Sequence, residues 1–281
     1  MRNILSVDVE DYFHPTEVQA WVGADQWESL PSRVGASTQL VLDLLARHRV
    51  TATFFVLGWV ARRHPALIRR IADAGHEIAC HSFAHQLVYE MTPAEFRADT
   101  LLAKTAIEDA CGVCPRLYRA PTYSITARSL WALEILAQAG FTHDSSIYPV
   151  SHDRYGIPGF PRHAHLVETP SGPILEVPAA AVQLSPTRVA PVAGGAYLRL
   201  LPYRYTAAGI RRLNSRDHQP ATMYMHPWEL DPGQPRLVRG LISRIRTYAG
   251  LGGMLRKLDR LLTEFHFAPM TVVHPFPVRP T

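Results

Sequence analysis

Short apolar runs alternate with longer segments of helical period along most of this chain. Runs of apolar residues bounded by turn formers predict strands over 3–8, 51–57, 76–80, 115–119, 141–144, 174–178, 222–226 and 270–274. Apolar residues recurring three and four apart predict helices over 37–48, 59–74, 93–110, 127–139, 206–216 and 254–266. In the first of these, Leu40, Leu44 and Leu45 give an apolar face, and Arg47-His48 gives a basic C-terminal end. Thr92 followed by Pro93 reads as an N-cap with proline at the first helical position. Gly75 and Gly140 are placed to end their helices in a left-handed conformation.

Strand–helix alternation of this kind implies parallel strands joined by crossovers. Seven or so repeats favour a distorted (β/α)7–8 barrel over an open sheet, with residues 1–281 forming a single α/β domain. Three stretches break the rhythm, at 145–173, 183–205 and 229–253. Their proline, glycine, histidine and arginine content predicts long irregular excursions, which in a compact domain are usually functional or disordered.

The chain has 281 residues, 47% of them hydrophobic, enough for a substantial core. It contains no run of about 18 apolar residues, so no membrane-spanning helix is expected. Met1-Arg2-Asn3 leads directly into an acid-bearing strand, which lacks the pattern of a secretory leader. The expectation is a cytoplasmic protein, working free or at the inner membrane surface. The formal charge of +5 is dispersed, and Arg62-Arg63, Arg69-Arg70 and Arg211-Arg212 read as solvated helix faces. With no basic arm or interleaved aromatic stripe, a nucleic-acid partner is not expected. Three cysteines do not suggest a disulfide framework, and Cys111-x-x-Cys114 has no second pair to build a zinc site.

Candidate chemistry collects at predicted strand ends. The strand 76–80 runs into His81-Ser82-Phe83-Ala84-His85, two imidazoles four apart, a spacing that puts both on one side of a helical turn. The first strand ends in Asp8-Val9-Glu10-Asp11. Residues two apart on a strand face the same side, so Asp8 and Glu10 project together, one to hold a cation and one to take a proton from water. Asp11 reads as a solvated acid. Arg119, in Arg119-Ala120-Pro121-Thr122-Tyr123, can hold a carboxylate ionised and oriented, or be an ordinary loop arginine. His226, in Tyr224-Met225-His226-Pro227-Trp228, can act as a general acid or be structural. Trp59 and Trp131 lie on helices and read as packing. Trp228 is the better candidate to line a site, and Arg199 and Tyr203, in a glycine-led loop, are candidates to bind substrate.

In this order the acid pair, HSxxH, RxPxY, Asp144-Ser145 and a late strand-end histidine resemble the polysaccharide deacetylases, the NodB-homology family, over roughly residues 3–275. The nearer likeness is to the deacetylase group associated with exosortase and exopolysaccharide loci. It rests on Val7-Asp8-Val9-Glu10-Asp11-Tyr12-Phe13, Asp144-Ser145-Ser146-Ile147-Tyr148-Pro149, the segment from Gly194-Gly195 to Pro202-Tyr203, and His226-Pro227-Trp228-Glu229.

The resemblance implies a metal-dependent hydrolase that removes the N-acetyl group of an N-acetylhexosamine, in a glycan or a lipid-linked glycan precursor, and releases acetate. It implies Asp8 as base, Arg119 as its orienting partner and His226 as acid. A backbone N–H near Tyr123 would hold the oxyanion, and Asp144 would belong to the substrate side. It also implies a divalent cation, zinc ahead of cobalt or nickel, held by His81, His85 and a carboxylate. The family opens with two adjacent aspartates. Here Val9 takes the second place, so Glu10 stands in as third ligand, with Asp11 as the alternative. The Arg119–Tyr123 motif is one residue longer than the common RPPY, which offsets Tyr123. The competing readings are a related amidohydrolase acting on a small molecule and a catalytically silent carbohydrate-binding protein.

Overall fold

A computed structural model describes residues 1–277. Its strands are β1 (Arg2–Val9), β2 (Thr53–Val56), β3 (Glu77–Cys80), β4 (Leu117–Tyr118), β5 (His143–Asp144), β6 (His165–Val167), β7 (Ile174–Glu176), β8 (Ala181–Ser185), β9 (Arg188–Pro191), β10 (Thr222–Met225) and β11 (His266–Ala268). The main sheet runs β10-β1-β2-β3-β4-β5-β7-β6, and β11 also pairs with β1. All neighbours up to β7 are parallel, and β6 alone adds antiparallel. The sheet curls without a β6–β10 pairing among the described residues, so the expected barrel is a curled, open one.

Strand β1 is buried on both faces, as a central parallel strand must be. Leu5, Val7 and Val9 pack outward into the main core under the helices. Ile4 joins a separate cluster with Phe55, Ala79, Leu117, Leu175, Val177 and Met270, which plugs the N-terminal end of the curl. The same inward row continues as Ser6, Asp8 and Glu10, so the barrel interior passes from an apolar plug to carboxylates along one strand.

Helices are well signalled where caps are strong. Thr92 and Glu95 form a reciprocal capping box with Pro93 at the first helical position, and the helix Pro93–Cys111 ends at Gly112 with φ +75°. The helix expected over 59–74 is two, Gly58–Arg63 and Pro65–Asp73, because Pro65 cannot continue a helix but can start one. The strand expected at 270–274 is a helical turn, Met270–Val273. The pairing with β1 falls earlier, on β11, inside and just past the end of the expected helix 254–266. The chain then turns under the plug, where Thr53 Oγ1 accepts the Met270 N–H at 2.8 Å.

The excursions hold more structure than expected. Residues 145–173 include β6. Residues 183–205 include most of the β8–β9 hairpin and the helix Gly195–Leu200. Residues 229–253 include the helix Leu241–Tyr248 and the start of Leu251–Glu264. Cys111 and Cys114 are free thiols.

Candidate active site

The C-terminal ends of β1, β3, β4 and β10 converge on one cleft of about 250 Å³. Asp8, Glu10, His81, His85, Tyr123 and His226 all line it. Glu10 Oε1 lies 3.1 Å from His81 Nε2 and 3.0 Å from His85 Nε2, and all three side chains are buried. His81 Nδ1 donates to the Arg119 carbonyl at 2.7 Å. That bond fixes the tautomer and leaves the Nε2 lone pair directed at Glu10, the second-sphere arrangement typical of a metal-binding imidazole. Burial opposes the Glu10 charge, yet His85 and His226 hold its carboxyl well below the usual range. The ligand atoms of Glu10, His81 and His85 lie within 4.8 Å of one another. Two imidazoles and an ionised carboxylate, buried and pre-aimed, fit a divalent cation.

The two histidines reach this position without a helix. Residues 81–85 form a loop in which Ser82 and His85 take φ of +62° and +53°. Asp99 holds it by accepting the N–H groups of Phe83 and Ala84 at 2.9 and 3.3 Å. Thr122 and Tyr123 are also left-handed, so among the described residues four of the six non-glycine residues with positive φ sit at this site. Such backbone costs about 1–3 kcal/mol each and collects where side chains must be aimed.

Asp8 sits beside this trio and is held differently. Arg119, fully buried, donates from Nη1 to Asp8 Oδ1 at 2.6 Å and to Ser6 Oγ at 2.8 Å. Its Nε and Nη2 reach the carbonyl and hydroxyl of Ser145, and its guanidinium lies over the Phe55 ring at 4.0 Å. Four donors of the fork are engaged, so Asp8 is pinned by a cation that cannot swing away.

Across the cleft, His226 Nε2 is 3.9 Å from Asp8 Oδ2 and 3.8 Å from Glu10 Oε1. Its Nδ1 and its backbone N–H both face Glu229 Oε2, at 3.2 and 3.0 Å. Glu229 Oε1 accepts from Arg199 Nε at 2.7 Å. A Cβ on Gly195 would fall 1.6 Å from Glu229 Oε2, so only glycine leaves room for this carboxylate. Burial opposes a charge on Glu229, but Arg199 and His226 hold it ionised. Trp228 stacks on the imidazole at 5.2 Å and 23°.

Several expected site residues land elsewhere. Asp11, the alternative third ligand, turns away from the trio. It is buried and accepts the N–H groups of Arg33 and Val34 and the Ser32 hydroxyl, at the start of the helix Val34–His48. Asp144 is fully buried, bonded to Ser146 and paired with Glu176 beneath Arg119, out of reach of the cleft. Tyr203 points to Glu264 at 2.7 Å and does not line the cleft. Arg199 does line it, but its donors go to Glu229 and to the carbonyls of Ala249 and Arg246. Trp228 is only 6% exposed and backs His226, so it offers little face to a sugar. The Tyr123 N–H donates to the Ala120 carbonyl at 3.1 Å, while its ring lines the wall.

Other wall residues carried no signal in the sequence. His152, Tyr155, Tyr197, Arg246 and Thr247 close the cleft from the excursions. Glu229, which ends the resemblance segment His226-Pro227-Trp228-Glu229, had a second signal: three residues past His226, it occupies the capping-box position opposite an N-cap.

This open, curled α/β barrel, with its buried His–His–Glu trio beside an arginine-held aspartate, is similar to known proteins over parts of the chain. Residues 27–143 match the family described as polysaccharide deacetylase, and residues 145–274 match a domain of unknown function (DUF3473). Residues 27–143 are thus similar to the polysaccharide deacetylase family. The first match carries His81, His85, Arg119 and Tyr123, and the second carries Arg199, His226 and Glu229. Asp8 and Glu10 precede both.

A chitooligosaccharide deacetylase of Bradyrhizobium sp. is 44% identical over 98 residues, 34% of this chain and 42% of that protein. A peptidoglycan-N-acetylglucosamine deacetylase of Bacillus cereus is 34% identical over 98 residues, 34% of this chain and 36% of that protein. The chain thus spans less than half the length of either relative. Among solved structures, a Mycobacterium smegmatis protein assigned to the polysaccharide deacetylases aligns at TM-score 0.65 and 20% identity, over 99% of this chain and 93% of its own. A family 4 carbohydrate esterase from Streptomyces lividans aligns at TM-score 0.51 and 18% identity, over 100% and 98%. These two share the fold.

Proposed function

We propose that this chain is a metal-dependent N-deacetylase that hydrolyses the acetamide of an N-acetylhexosamine unit in a glycan or glycan precursor. The observation that carries the reading is the placement of Asp8, held by Arg119, beside the Glu10–His81–His85 trio and facing His226. The deacetylase relatives support the substrate class. Glu10 lying within reach of both imidazoles supports hydrolysis over a catalytically silent sugar binder.

Glu10, His81 and His85 would hold the cation, with zinc the first choice for two imidazoles and a carboxylate. A bound divalent cation supplies Lewis acidity that polarises a carbonyl and makes water more acidic. Asp8 takes the proton from the attacking water, and Arg119 fixes Asp8 in direction. His226 donates from Nδ1 to Glu229 and turns Nε2 into the cleft, where it delivers a proton to the departing amine nitrogen. The cleft is at the small end of ligand sites, which suits one sugar unit with the rest of a glycan outside.

The deciding assay is acetate release from N-acetylglucosamine oligomers with added zinc, cobalt or nickel, beside a panel of small amides. Metal-loaded protein that releases acetate from no oligomer, yet cleaves a small amide, would assign it to another amidohydrolase activity.

A further inference from the structure

The helix Leu241–Tyr248 has its apolar side turned to solvent. Leu241, Ile242 and Ile245, at i, i+1 and i+4, are 75%, 69% and 47% exposed. Thr247 and Tyr248 in its last turn go inward, and Arg246 and Thr247 form part of the cleft wall. A surface helix of a globular protein normally buries its apolar stripe. An eight-residue helix is marginal in water on its own. This one leaves its largest aliphatic side chains without cover from the described residues.

The charge around this stripe is of one sign. Between Asp231 and Asp259 the chain carries five arginines and one lysine, and no carboxylate side chain. Arg236, Arg239, Arg244 and Arg256 are exposed. The nearest acidic partner from elsewhere is Asp153, 3.4 Å from Arg246 on the cleft side. Leu200, 42% exposed, also lines the cleft, beside Arg199, whose Nη2 bonds the Arg246 carbonyl.

We propose that the Leu241–Tyr248 helix docks on an anionic phospholipid bilayer, aliphatic stripe inward and arginines at the headgroups, with the cleft mouth beside the membrane. An apolar stripe rimmed by cations is the signature of a helix lying in a bilayer interface. Anionic headgroups attract each nearby arginine. A second copy of this chain fits poorly, because a two-fold contact would set the arginines against themselves. The proposal does not depend on the deacetylase reading, since vesicle binding is measured without turnover.

The test is flotation of the full chain with vesicles of phosphatidylcholine plus phosphatidylglycerol, and with vesicles of phosphatidylcholine alone. The parent should float with the mixed vesicles, less so as salt rises, and bind the neutral ones much more weakly. Ile242→Asp/Ile245→Asp and Arg239→Ala/Arg244→Ala should each bind the mixed vesicles at least about tenfold more weakly, with unchanged far-ultraviolet circular dichroism. A parent that fails to float, or variants that float like it, would overturn the proposal. So would a parent dimer in sedimentation velocity that the aspartate variant splits, which would make the stripe a self-contact.

Discussion

Arg199 and Glu229 form an ion pair sealed from solvent, Nε to Oε1 at 2.7 Å, with each side chain 1% exposed. Through its other oxygen Glu229 holds His226. Removing one partner strands a buried charge, which typically costs about 3–5 kcal/mol. Arg199→Met and Glu229→Gln should each lower unfolding free energy by about that amount, measured in urea. The double variant should recover part of the loss, because no charge is left unpaired. Losses that simply add would show that the two side chains do not act as a pair.

The assignment of Glu10 over Asp11 as third ligand has a direct readout. His81→Ala and His85→Ala should lose bound metal by mass spectrometry. Asp11→Ala should keep its metal and lose about 0.5–2 kcal/mol of stability, because its carboxylate caps the helix Val34–His48. An Asp11→Ala protein that folds normally without metal would move the ligand from Glu10 to Asp11.

Asp8→Asn preserves shape but cannot take a proton. Metal content should stay near that of the parent while kcat drops about 10²–10⁴-fold. Arg119→Lys should also lose turnover, because an ammonium cannot reach Asp8, Ser6 and Ser145 with one planar fork. Loss of metal from Asp8→Asn would exchange the roles of Asp8 and Glu10.

For His226 the comparison is between leaving groups. His226→Ala should slow release of acetate from a sugar amide about 10²–10⁴-fold, with KM little changed. An aryl acetate ester, whose leaving group needs no proton, should lose far less. Equal losses on both substrates would make His226 a binding or structural residue.

Beneath the site, burial and the neighbouring Asp144 hold the Glu176 carboxyl well above the usual range, and burial also raises Asp144. Glu176 therefore keeps its proton in the folded protein at pH values where the unfolded chain has released it. The stability this contributes is complete below about pH 4, the unfolded glutamate range, and is lost as pH rises towards the folded pKa. Glu176→Gln, which carries no titrating proton, should lose stability less steeply as pH rises above about 5, by up to about 1.4 kcal/mol per pH unit. Parallel melting-temperature profiles for the two proteins would show that Glu176 is ionised in the fold.

The sequence by itself determined what depends on local periodicity. A two-residue repeat set Ser6, Asp8 and Glu10 on one face of β1, and apolar runs ending in polar residues marked where His81, Arg119 and His226 leave their strands. Thr92, Pro93 and Glu95 specified a helix start because every partner lies within one turn. Only the tertiary structure decided which acids meet which cations. Asp11 caps a helix more than twenty residues away, and Asp144 faces Glu176 across a sheet. Arg199 and Tyr203, four residues apart on adjoining helices, turn to different partners. The last strand moved for a related reason. Met270 is apolar enough to continue β11, but the open end of the barrel needs a plug, and the chain turns there to supply it. Each of these contacts joins positions far apart in the chain, so no pattern read within one segment carries them.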